Sequence, residues 1–104
     1  MARSHAAELA ELVAAVAADL DIEAVPEGDA TAYSVGQRMV VSVVGGTAEF
    51  RLRADVAAAA ARTPDARLSP RGPEWVSFSP TTFDRFTTDR VAAWLDFAAR
   101  EADR

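Results

Sequence analysis

Met39 to Arg53, MVVSVVGGTAEFRLR, constrains the fold more than any other stretch of this chain. Two β-type runs flank Gly45-Gly46, and a glycine pair between β-branched segments predicts a hairpin, because glycine reaches the positive φ angles that a type I′ or II′ turn requires. The second run alternates. Ala48, Phe50 and Leu52 point one way, and Thr47, Glu49, Arg51 and Arg53 point the other. One face of this strand is therefore core, and the other carries arginines. The run 39–44 is apolar on both faces except at Ser42, which predicts a central strand covered on both sides or the tight end of a curved sheet.

A chain of 104 residues is expected to form one domain, 1–104, with a single core. It contains no cysteine, no lysine and no asparagine, so disulfides, thiolate metal sites and a lysine Schiff base are excluded, and every cation except the N-terminus and His5 is an arginine. The abundance of alanine and arginine fits a GC-rich, bacterial source. No apolar run reaches the roughly 18 residues of a membrane span, and the N-terminus lacks a signal-peptide pattern, so the expected location is cytoplasmic. The net charge of −5 disfavours general nucleic-acid binding, whose affinity comes largely from neutralising phosphates. The charge is unevenly spread. Residues 1–29 carry one arginine against seven acids, residues 30–73 six arginines against three acids, and residues 74–104 four against six. A basic middle lies between acidic ends.

Residues 4–20 predict an amphipathic helix capped by Ser4, with Leu9, Leu12, Val13, Val16 and Leu20 on one stripe. Pro26-Glu27-Gly28-Asp29 predicts a turn, Thr31–Val35 a short strand, and Gly36-Gln37-Arg38 the turn into the 39–44 strand. Ala54–Arg62 is a helix former that Pro64 stops. Residues 65–73, DARLSPRGP, predict a stiff loop with a brief extended piece at Ala66–Ser69. Glu74–Ser79 predicts a strand with Val76 and Phe78 on the core side and Trp75, Ser77 and Ser79 on the other. Thr81–Phe86 predicts a turn-rich connection, and Thr88 the N-cap of a last helix with Val91, Leu95, Ala98 and Ala102 inward and Trp94 and Phe97 beside them. The order α-β-β-β-α-β-α predicts an α+β fold, a mostly antiparallel sheet with the terminal helices on one face.

Several of these segments resemble a known family in succession. Tyr33-Ser34-Val35-Gly36-Gln37-Arg38-Met39 is similar to the aromatic-x-V-x-G-K/R-M segment of the MmcQ/YjbR and TfoX N-terminal families. Phe50-Arg51-Leu52 resembles their L/V-R/K-L strand, Gly72-Pro73-Glu74-Trp75-Val76 their later G-W-V segment with two extra residues, and Val91–Leu95 their last helix. The resemblance spans most of residues 9–100. It implies a small frataxin-like α+β arrangement and a DNA-binding label.

No residue pattern points to catalysis. His5 has no orienting partner, no pair of His or Cys residues stands at metal-ligand spacing, Gly45-Gly46 lacks the lysine and helix of a phosphate loop, and Ser77 and Ser79 lack an activating base. The chain needs no cofactor on this reading. The candidate binding residues are Arg38, Arg51, Arg53, Arg71 and Trp75, with Arg67 nearby. Arginines beside an aromatic ring can hold a small anionic ligand, stack a planar one or meet an acidic protein partner. The competing expectation is that Arg51 and Arg53 simply pair with Glu49, Glu74 or Asp55, and that Trp75 tucks under residues 65–73. The expected function is a non-enzymatic binding domain. The alternatives are a small enzyme with a pocket between the sheet and residues 65–73, using carboxylates or Tyr33, and a structural homodimer built on Trp94 and Phe97 of the last helix.

Overall fold

The computed structural model describes residues 4–103. Nine elements follow one another: α1 (His5–Asp19), β1 (Glu23–Glu27), β2 (Ala30–Val35), β3 (Arg38–Val44), β4 (Thr47–Arg51), α2 (Ala54–Ala60), β5 (Ala66–Leu68), β6 (Trp75–Phe78) and α3 (Arg85–Ala102). The fold is α+β, with the predicted elements in their predicted order; the brief extended piece expected at Ala66–Ser69 is the short strand β5, and one further short strand, β1, is added. All strand pairs are antiparallel, and the sheet order is β1-β2-β3-β4-β6-β5. α2 carries the chain past β6, so that β5 returns as the outer strand.

The 39–53 segment forms its hairpin. Val44 pairs with Thr47 across Gly45-Gly46, and Gly45 alone of the two has a positive φ, 56°, the pattern of a type II′ turn. Ala48, Phe50 and Leu52 are buried as the alternation requires. The apolar run of β3 has a different cause from the one expected. Tyr33 pairs with Val41 and Ser34 with Met39, so Val40 is an extra residue in a β-bulge. The bulge places Val40 and Val41 both in the core, while Ser42 faces away; one side of β3 is packed against helices, not two.

The core lies between the sheet and the helices. Tyr33, Val41, Val43, Ala48, Phe50, Val76 and Phe78 meet Leu9 and Val13 of α1, Ala57 and Ala60 of α2, and Val91, Leu95 and Ala98 of α3. Trp94 sits edge-on to Phe50 and Phe78, with ring centres 5.6 Å and 5.2 Å apart. Its ring, which the sequence left open between a wide buried face and a dimer seam, is packed in part within its own chain.

Three local expectations are corrected. Residues 23–27 form an edge strand, so Pro26 and Glu27, expected in the turn, end that strand and the turn itself falls at Gly28-Asp29. Pro26 is tolerated there because an outermost strand leaves one side of its ladder unpaired. The last helix begins at Arg85, not after Thr88. Asp84 is its N-cap and accepts from the Thr87 N–H at 3.0 Å, whereas Thr88 lies inside the first turn and donates its hydroxyl to the Asp84 carbonyl. Arg53, expected beside Arg51, lies past the end of β4. The strand stops at Arg51, and Arg53 becomes the residue preceding α2.

Candidate functional site

The side of the sheet opposite the helices is read directly from the strand register. Its middle row runs Val25, Ala32, Ser42, Glu49, Ser77 and Arg67 across all six strands. Beside it, Glu23, Ser34 and Met39 line up across β1 to β3, and Arg51 and Trp75 pair across β4 and β6. The face is therefore acidic at β1 and basic toward β4, β6 and β5.

Its best-anchored point is Glu49. The carboxylate accepts hydrogen bonds from the hydroxyls of Ser69 and Ser77 and from Arg71 Nε, the last at 2.7 Å. Burial alone would raise its pKa. The hydrogen bonds from Ser69, Arg71 and Ser77, with the Arg71 charge, outweigh that effect and hold the carboxyl below its ordinary value. Ser69 Oγ also accepts from the Arg71 N–H at 3.1 Å, and the Ser69 N–H donates to the Trp75 carbonyl at 3.0 Å. Beyond the β5–β6 ladder, residues 69–71 are thus tied to the sheet through the Glu49 carboxylate, and Arg71 is delivered to the rim of the face. There its guanidinium lies 5.2 Å from the centre of the Trp75 ring.

A hollow of about 570 Å³ opens beside this anchor, lined by Arg38, Met39, Arg51, Arg71, Glu74 and Trp75, with Gln37, Gly72 and Pro73 at its border. Three guanidinium groups from three parts of the chain converge on it. Arg38 comes from the start of β3, Arg51 from the end of β4 and Arg71 from the loop before β6. Arg51 Nη2 is 3.2 Å from Glu74 Oε2, an ion pair with both partners well exposed and so of small worth. Arg71 uses Nε for Glu49, and its two terminal nitrogens have no protein acceptor among the described residues. Arg38 is exposed, with no ion pair among the described residues.

Four of the five residues expected to form a binding site, Arg38, Arg51, Arg71 and Trp75, thus meet in one hollow. The fifth, Arg53, does not. It pairs with Asp55 at 2.7 Å, approaches Glu101 of α3 at 3.8 Å and lies 5.8 Å from the centre of the Phe97 ring, on the helix side. The expected pairings of Arg51 with Glu74 and Arg53 with Asp55 are also present. Trp75 is half-buried, with the Arg71 guanidinium of the loop over its ring.

Tyr33 stands apart from the hollow. It is a buried core residue on the helix side, where burial pushes its phenol pKa up. The carboxylates nearest the hollow, Glu49 and Glu74, both hold arginines. His5 opens α1 in an exposed position, with its ring 5.9 Å from that of Phe83. No helix among the described residues is long and apolar enough to cross a membrane.

Sequence reasoning missed Glu49 as the organiser of the site. The alternation of β4 already placed Glu49 on the same face as Arg51, which was the available signal. Ser69 had none, because its position depends on β5 folding back against β6. Compared with family models, with curated proteins and with solved structures, the chain matches none.

Proposed function

We propose that this protein is a non-enzymatic binding module that takes a small anionic ligand with a flat portion in the hollow formed by Arg38, Arg51, Arg71 and Trp75. The observation that carries this reading is the convergence of three guanidinium groups on one aromatic wall, two of them with donors free to turn to a ligand. Guanidinium groups recognise carboxylate and phosphate through paired, directional hydrogen bonds and stack on planar groups, which a lysine cluster would not do. An incoming anion displaces Glu74 from Arg51 at little cost, because that pair is exposed. It leaves Glu49 in place, because that carboxylate has three donors.

The same segment carries the resemblance to the MmcQ/YjbR and TfoX N-terminal families, for which DNA would be the implied partner. The net charge of −5 and the acidic β1 strand on the same face weigh against a polyanion that has to lie across the sheet. A compact anion meets only the basic end.

The test is calorimetric titration with pyrenetetrasulfonate, a flat tetra-anion, at low ionic strength. Saturable binding is expected, weakened at least tenfold in Arg38→Glu/Arg51→Glu and weakened by added salt. Affinity unchanged by the double substitution, or no saturation, would rule the site out.

A further inference from the structure

A second hollow lies on the helix side of the molecule, at the start of α3. It measures about 690 Å³ and is walled by Pro64 and Asp65 after α2, by Asp84 before α3, and by Phe86, Asp89 and Trp94 of α3 itself. Phe86 is 69% exposed, more than any other large hydrophobic residue described. Trp94 is half-buried, one part of it packed on Phe50 and Phe78. A phenylalanine left in water beside a mostly apolar groove is the usual mark of a surface that is covered by something else.

The rim says what kind of partner covers it. Three aspartates, Asp65, Asp84 and Asp89, border the groove, against one arginine. That arginine, Arg90, is already engaged. Its Nη1 donates to the Pro64 carbonyl, and its guanidinium lies 4.6 Å from the centre of the Phe78 ring. Asp84 gives one oxygen to the Thr87 N–H. The side chains of Asp65 and Asp89 have no hydrogen bond or ion pair among the described residues, and the sequence neighbours Arg62 and Arg85 do not line the groove.

We propose that this groove docks a short basic, apolar segment of another protein. One apolar side chain of that segment packs between Phe86 and Trp94, and a flanking lysine or arginine meets Asp65 and Asp89. This is the charge complement of the groove, in the manner of apolar anchors set beside ionic register-fixing contacts. A second copy of the chain fits poorly. Packing the groove on itself sets aspartates against aspartates, and the basic concentration among the described residues, around Arg51, lines a hollow of its own rather than projecting as a segment. The proposal is independent of the anion site, which lies on the opposite face of the sheet.

The test uses a fluorescein-labelled peptide of Leu, Phe and Arg residues and a counterpart with every Arg replaced by Glu, read by fluorescence anisotropy against the full chain. The arginine peptide is expected to bind saturably and the glutamate peptide not to bind. Phe86→Ser and Asp65→Asn/Asp89→Asn are each expected to weaken binding at least tenfold. Both variants should fold, since Phe86 is exposed and asparagine accepts the left-handed backbone of Asp65, φ 65°; circular dichroism checks this. Arg38→Glu/Arg51→Glu is expected to leave peptide affinity unchanged. Equal binding of the two peptides, or affinity indifferent to the groove substitutions, would overturn the proposal. So would sedimentation showing a dimer that Phe86→Ser dissolves, which would make a second copy the occupant.

Discussion

Arg71 donates from Nε to the Glu49 carboxylate at 2.7 Å, and through that bond a loop residue is fixed at the rim of the sheet's open face. The pair is more sheltered than the other ion pairs of the basic region, with the Glu49 side chain only 19% exposed. Arg71 in turn lies against Trp75, whose own place is set by the pairing of β6 with β4, so the carboxylate positions the arginine over the aromatic wall of the hollow. Glu49 is thus a structural support of the site rather than a contact for the ligand.

Replacing that carboxylate should cost stability in a pH-dependent way. Glu49→Gln keeps the shape and loses the charge, and it is expected to destabilise by about 1–2 kcal/mol at neutral pH, the usual difference for hydrogen bonds to a charged acceptor. The folded-state pKa of Glu49 is depressed below its ordinary 4.5, so its contribution is fully present above that value and is lost as pH falls through the lower folded one. Urea midpoints should therefore separate wild type from variant at neutral pH and converge in acid. A gap that stays constant down to pH 3 would show that the charge of Glu49 does not support the fold.

Trp94 is expected to be a core residue first. Trp94→Ala removes the ring that meets Phe50 and Phe78 edge-on and should destabilise the domain by about 3 kcal/mol. Chemical denaturation reads this directly. A loss below about 1 kcal/mol would mean that the ring's packing contributes little and would restore Trp94 as a candidate for a subunit interface.

At the hairpin, Gly45 and Gly46 should respond differently to alanine. Neither position is crowded, since a Cβ at either would meet nothing within 4 Å. Only Gly45 has the left-handed φ of 56°. Gly45→Ala is expected to cost roughly 1–2 kcal/mol and Gly46→Ala clearly less. Thermal melts of the two variants that shift equally would contradict the turn type assigned to this loop.

The two arginines that alternate along 51–53 should separate in function. Arg51→Ala is expected to weaken anion binding several-fold, whereas Arg53→Ala should leave it unchanged, because Arg53 faces Asp55, Glu101 and Phe97. Matching losses for the two variants in the calorimetric titration would mean that the strand continues past Arg51 in solution.

Much of this architecture was legible in the residues themselves. Gly45-Gly46 announced the hairpin, the Leu9–Val13 stripe the first helix, and the alternation of residues 47–52 the inward and outward faces of β4. What escaped was decided by distant partners. Residues 23–27 are rich in glutamate and contain Pro26, so nothing local marks them as β; the strand exists because β2 offers it an edge. The Val40 bulge looks like a doubly buried strand until its pairing with β2 is known. Arg53 keeps the period of the strand in sequence, but the strand ends two residues earlier, at Arg51, and Arg53 leads into α2. Of the site, the arginines and Trp75 could be named from charge and alternation. Their convergence could not, because it depends on Ser69 and Arg71 folding back onto Glu49.

The most direct test of the anion site is a nitrogen-detected NMR titration of the full chain with pyrenetetrasulfonate, following the Trp75 indole N–H and the arginine Nε–H signals. The account predicts that the signals of Trp75, Arg38, Arg51 and Arg71 shift together along one saturating curve while those of Trp94 and Arg53 stay fixed. Shifts spread over all arginines without saturation, or a response led by Arg53 or Trp94, would contradict it.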